Sequence, residues 1–184
     1  MFPDKKFNII YADPPWQFKD KQTAGKRGAC YKYPTMHIDD ICALPVEKIA
    51  ADTCLLAMWW VSTMPKEALA VCDAWGFKFF KMDGFTWRKL TVNDKEHFGM
   101  GSLTRSNVEH CLFGVRGKVG HIRKSASVRQ VINAKKGRHS EKPQEARDNL
   151  IQLCGDVPRI ELFARTSAPG WVAWGNEIPA EGWE

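Results

Sequence analysis

The chain has 184 residues and a mass of 20.9 kDa, the size of one ordinary domain, so a single domain over 1–184 is expected and a two-domain enzyme is not. Apolar residues make up 44% and charged residues 26%, which excludes a wholly disordered chain. The net charge is +6, the longest apolar run (Cys54 to Val61) is too short to span a bilayer, and Met1 to Lys6 is not followed by an apolar signal segment; a cytoplasmic protein without membrane contact is expected.

Phe7 to Ala12 is a short apolar run stopped by Asp13-Pro14-Pro15, the pattern of a buried strand with an abrupt end. Residues 17–34 are polar, basic and glycine-containing, hence a long loop. His37 to Ala43 and Val46 to Ala50 fit two short helices around Pro45. Cys54 to Val61 is the next strand. Pro65 to Trp75 is an amphipathic helix, with Ala68, Val71, Cys72 and Trp75 on one stripe and Gly76 as its stop. Phe77 to Lys81 and Gly84 to Arg88 read as two strands, residues 90–106 as a second loop, and His110 to Val115 as a strand.

The positive charge gathers after that strand. Between Cys111 and Ser140 stand Arg116, Lys118, Arg123, Lys124, Arg129, Lys135, Lys136 and Arg138, with no acid. Without these eight, the chain carries 19 cations against 21 acids. Such a cluster suits a surface that meets a polyanion, or simply a solvated loop. Pro143 to Cys154 then forms a second amphipathic helix closed by Gly155, and Arg159 to Ala164 and Trp171 to Trp174 are the last strands.

Apolar strands alternating with amphipathic helices predict an α/β fold with a mostly parallel central sheet and helices on both faces. Ligands of such sheets bind beyond the carboxyl ends of the strands, which directs attention to Asp13. The six cysteines contain no C-x-x-C pair and the five histidines no H-x-x-x-H pair, so reduced core thiols and no bound metal are expected.

Asp13-Pro14-Pro15-Trp16 carries the sharpest chemical signal. Proline pairs commonly end strands, but that leaves the acid and the indole unexplained. An exocyclic amine on a nucleobase is a poor nucleophile because its lone pair is delocalised into the ring. A carboxylate and a carbonyl accepting its two hydrogens favour a pyramidal nitrogen able to attack a methyl sulfonium. Asp13 offers the carboxylate, Pro14 the carbonyl on a chain stiffened by two fixed φ angles, and Trp16 an aromatic face for an extruded base.

Asp-Pro-Pro-Trp after a buried strand resembles the amino-methyltransferases that use S-adenosylmethionine. More narrowly, it resembles the MT-A (seventy-kilodalton subunit) family of adenine-N6 methyltransferases, which act on messenger RNA in eukaryotes and include small phage DNA enzymes. Further segments resemble the family in its order: Tyr33-Pro34-Thr35-Met36, Trp87-x-Lys89, Glu109 to Val115, His139-Ser140-Glu141-Lys142-Pro143, Ile160 to Arg165, and Trp171 to Glu177.

The resemblance implies a Rossmann-like fold in permuted motif order, with S-adenosylmethionine as cofactor and nucleic acid, most simply DNA, as partner. Asp13 becomes the catalytic acceptor, within a catalytic Asp13, Pro14, Pro15 and Trp16. Ser140, Lys142, Phe163, Arg165, Asn176 and Glu177, with Asp13, are expected around the cofactor. Trp16, Tyr33, Glu109 and the cations Arg123, Lys124, Lys135 and Lys136 are expected against the substrate, the loops 17–36 and 90–107 and the segment 116–138 forming a clamp. No G-x-G-x-x-G occurs, which suits a cofactor without a pyrophosphate. Related Pro-Pro-aromatic tetrads also serve cytosine N4. Adenine in RNA, cytosine, and an inactive nucleic-acid-binding subunit therefore stay open beside adenine in DNA, as do monomer and homodimer.

Overall fold

A computed structural model of the chain describes residues 2–17, 35–101, 103–137 and 141–178. Its centre is a seven-stranded sheet. In chain order the elements are β1 (Phe7–Ala12), α1 (Ile38–Cys42), a 3-10 turn (Val46–Lys48), β2 (Ala50–Trp60), α2 (Pro65–Ala74) and β3 (Lys78–Leu90). They continue with β4 (Val108–Arg116), α3 (Val119–Ile122), β5 (Val131–Lys135), α4 (Gln144–Cys154), β6 (Arg159–Leu162) and β7 (Val172–Trp174).

The strands lie in the order β5-β3-β4-β2-β1-β6-β7. β1 is flanked on both sides by parallel neighbours, Ala12 pairing with Met58 of β2 and Leu162 of β6. Such a strand is covered on both faces, and Ile9, Ile10, Tyr11 and Ala12 are fully buried. β4 alone runs against its neighbours, β2 and β3; the remaining pairs are parallel.

Helices cover both faces, as expected. On one face Ile41, Val46, Ala68, Val71, Cys72 and Trp75 pack from α1, the 3-10 turn and α2 against alternate residues of β1 and β2. α2 takes Pro65 in its first turn, where no N–H is needed, and ends at Gly76 with φ +77°. On the other face α3 and α4 contribute Ile122, Ala146, Leu150 and Cys154. Arg147 of α4 clamps Glu161 of β6 with two 2.8 Å hydrogen bonds, so this largely buried pair is also geometrically fixed.

The structure corrects two strand assignments. Phe77 to Lys81 and Gly84 to Arg88 belong to one strand, β3, whose register slips twice against β4. Within 116–138, read as a basic segment with no helix or strand assigned to it, lie α3 and the edge strand β5, whose Ile132 and Ala134 are buried between exposed neighbours.

β1 leads to β2 on one side, while β6 and β7 extend the sheet on the other. The order therefore reverses at β1/β6, and the crevice above such a reversal is where open α/β sheets hold ligands.

Candidate active site

A cleft of about 810 Å³ opens above that reversal, within the range of sites for small molecules. It collects the carboxyl ends of β1 (Asp13 to Trp16), β2 (Trp59, Trp60), β3 (Lys89), β6 (Phe163 to Arg165) and β7 (Trp174, Asn176, Glu177). Because β4 runs the other way, it contributes its beginning, Val108, Glu109 and His110. Lys136 enters just past β5, and Lys142 just before α4.

The tetrapeptide is tightly held. The Trp16 N–H donates to the Pro14 carbonyl at 2.8 Å, and the Met36 N–H to the Pro15 carbonyl at 2.9 Å. The Trp16 indole is only 5% exposed and donates its Nε1–H to the Trp59 carbonyl at 3.0 Å. The open stacking face expected of Trp16 is thus largely taken up by packing, and the indole anchors the turn to β2. Pro14 O retains a second lone pair, since a carbonyl accepts twice.

Charged groups form a chain across the floor. Lys142 Nζ lies 2.7 Å from an Asp13 oxygen and 3.3 Å from Glu109, whose other oxygen is 2.5 Å from Lys89. Lys142 also stands 5.7 Å from the centroid of the Trp59 ring, and its side chain is only 10% exposed. A buried ammonium persists when opposite charges surround it. Burial opposes its charge, but Asp13 and Glu109 outweigh burial and raise its pKa.

The two carboxyls diverge. Burial pushes Asp13 above the ordinary carboxylate range despite Lys142 beside it, with Glu109 adding to the rise. Desolvation also opposes the charge of half-buried Glu109, yet Lys142 and Lys89 together pull it below that range. Such divergence separates a group able to take a proton from one that stays an anion.

At the other wall Phe163 has a left-handed φ of +61°, and its ring meets Trp174 edge-on, with centroids 5.7 Å apart. Gly175 lets the ends of β6 and β7 close, because a Cβ there would fall 2.1 Å from the Ala164 carbonyl oxygen. Arg165 and Glu177 then approach to 3.8 Å.

Asp13 to Trp16, Glu109, Lys136, Lys142, Phe163, Arg165, Asn176 and Glu177 thus all line one cleft. Tyr33 and Ser140 lie outside the described residues. Lys135 is exposed on β5 beside Asp94, at 3.2 Å. The placement of the whole basic cluster beside the cleft is corrected: β4 carries the chain to the opposite end of the sheet, where Arg116 pairs with Cys54. Arg123 and Lys124 follow there, with the Lys124 N–H bonded to Leu153 at the far end of α4. Only after β5 returns do Lys135 and Lys136 reach the cleft end. Lys89, His110, Trp60 and Trp174 also line the cleft, although the sequence does not single them out as site residues. Their common signal is position: each stands at the strand end that the sheet turns toward the cleft.

The MT-A70 family profile matches residues 7–177. The chain belongs to the MT-A70 family. It is 34% identical to the type II methyltransferase M.MunI of Mycoplasma sp, over 96% of this chain and 80% of that protein. It is 29% identical to the human N(6)-adenine-specific methyltransferase METTL4 and 28% identical to the N6-methyladenosine RNA methyltransferase MTA1 of Pyricularia oryzae. These matches cover 95% and 94% of this chain but only 38% and 47% of those longer relatives. The expected Rossmann-like fold and methyltransferase assignment stand with this membership. Among the described residues no helix is long and apolar enough to cross a membrane, and no group of three or more His, Cys, Asp or Glu could hold a metal.

Proposed function

We propose that this single domain transfers a methyl group to the N6 amine of adenine in DNA, with S-adenosylmethionine as donor. The observation that carries the reading is the Asp13–Lys142–Glu109 cluster at the strand ends, in a chain matched to the family over nearly its whole length. DNA is favoured over RNA because M.MunI combines the highest identity among these relatives with coverage of most of both chains.

The cleft's donor set fits the methyl donor. Lys142 supplies a cation for an amino-acid carboxylate, while Arg165, Asn176 and Glu177 supply hydrogen-bonding groups for hydroxyls. Phe163 and Trp174 add aromatic surface. S-adenosylmethionine, when bound, supplies a methyl group made electrophilic by its sulfonium.

The chain's own groups prepare the acceptor. Asp13 and the remaining lone pair of Pro14 O accept the two amine hydrogens and localise the nitrogen lone pair. Transfer of the donor's methyl group to that lone pair would release the donor as a thioether and leave the nitrogen cationic. That nitrogen loses its extra proton to Asp13, the carboxyl whose pKa is raised, or to water. Glu109 remains ionised and keeps Lys142 charged.

Calorimetric titration with S-adenosylmethionine, followed by methylation assays on native DNA, denatured DNA and RNA, tests the reading. Binding with methylation of DNA supports it. Methylation of RNA alone overturns the substrate, and absence of cofactor binding overturns the enzyme assignment.

A further inference from the structure

The connection from β3 to β4 carries three large apolar side chains outward. Phe98 and Met100 are 76% and 80% exposed and Leu103 is 98% exposed, in a protein that otherwise sends its Phe, Met and Leu mostly inward. This arm starts at the cleft. The Lys89 N–H donates to the Asn107 carbonyl at 2.8 Å and the His97 N–H to the Lys89 carbonyl at 3.0 Å, closing the arm's base beside the cleft residues Lys89, Ser106 and Val108.

The arm is built to be narrow. A Cβ on Gly99 would lie 1.9 Å from the Ser106 carbonyl oxygen, and one on Gly101 equally close to that of Thr104. Only glycine allows these backbones to touch, so the two limbs lie together and the side chains project from a thin edge. Arg105 braces the arm, its guanidinium 5.1 Å from the Phe98 ring centroid and its Nη1 bonded to the Gly101 carbonyl at 3.4 Å. Lys136 at the cleft adds positive charge beside the arm.

We propose that this arm is a duplex wedge. Resting on the nucleic-acid reading above, Phe98, Met100 and Leu103 enter the base stack of double-stranded DNA next to the target and fill the space vacated by the extruded base. Arg105 and Lys136 meet the flanking phosphates. A target amine inside a duplex is unreachable without extrusion. Apolar side chains of this kind, with Arg105 among them and Lys136 at the arm's base, suit insertion between base steps, which unstacks and untwists the duplex.

The test combines Phe98→Ser, Met100→Ser and Leu103→Ser in one protein. Closed plasmid is relaxed by a topoisomerase in the presence of the wild type or the variant at matched DNA occupancy. The wild type should shift the topoisomer distribution in the unwinding direction and the variant should not, while its initial methylation rate on native plasmid falls at least about tenfold. A Phe98→Leu protein should keep both activities. A wild type that methylates DNA without moving the linking number overturns the wedge and leaves the enzyme reading intact. A wild type that neither binds nor methylates any nucleic acid overturns that reading first. Loss of a dimer on sedimentation of the variant, with unwinding unchanged, identifies the arm as an interface between copies and overturns the wedge. An unchanged melting temperature separates all of these from misfolding.

Discussion

Lys142, just before α4, and Asp13, just after β1, stand 129 positions apart in the chain and meet at 2.7 Å. One ammonium thereby touches the carboxylate proposed for the acceptor amine and is itself the cation proposed for the ligand carboxylate. Lys142→Met should weaken S-adenosylmethionine binding about 10- to 100-fold, the effect expected of removing one charge-assisted hydrogen bond of about 1.5–3 kcal/mol. Calorimetric titration measures it, and unchanged affinity would remove Lys142 from the cofactor site.

The pH dependence follows from the two carboxyls. Asp13 is a strong acceptor, and free to take the released proton, only when ionised, so the rate should fall as pH drops through its pKa, which burial sets above the ordinary carboxylate range. Glu109 is a like charge that raises this pKa further. Glu109→Gln should therefore lower the Asp13 pKa and extend activity to lower pH. A rate profile at saturating cofactor checks the sign: an acid limb that stays in place or moves upward contradicts the coupling.

Splitting the basic cluster between the two ends of the sheet separates its members. Lys136→Gln should weaken DNA binding and flatten its salt dependence by about one unit, the slope that a single cation–phosphate pair supplies. Arg123→Gln with Lys124→Gln should leave both unchanged. Binding isotherms at several salt concentrations decide this; equal effects from the two sites would mean that DNA meets the far end as well.

Much of the fold was legible because its strongest signals are local. β1 begins and ends where its apolar run does, and α2 and α4 follow their stripes and their closing glycines. β5 escaped because only Ile132 and Ala134 are buried in a segment dominated by charge, too few to display a period of two. β3 looked like two strands because Met82-Asp83, followed by Gly84, breaks its aromatic pattern. That glycine makes room for Phe113, whose ring would lie 2.2 Å from a Cβ there.

The site was legible where a residue stands beside a distinctive neighbour, as Asp13 does beside two prolines. The direction of β4 was not. One antiparallel strand sends Arg123 and Lys124 away from the cleft while leaving Glu109 inside it, and no local pattern in that segment encodes such a choice. The role of Trp16 was equally hidden, because an indole that anchors and one that stacks are the same residue in a sequence.

Trp16 supplies a stability test. Trp16→Ala removes a buried indole and should cost about 3–5 kcal/mol. Trp16→Phe keeps most of the volume and removes the bond to the Trp59 carbonyl, at a cost of about 1 kcal/mol. Denaturant unfolding reads both, and a Trp16→Ala protein as stable as the wild type would contradict the anchoring.

The most direct test of the central claim is transfer of a radiolabelled methyl group from S-adenosylmethionine to native DNA, followed by digestion to nucleosides, with the wild type and Asp13→Ala side by side. The expected result is label in N6-methyldeoxyadenosine from the wild type and a rate reduced about 10²- to 10⁴-fold in the variant, as for removal of an acid–base group. Label in cytosine, or undiminished transfer by the variant, would contradict it.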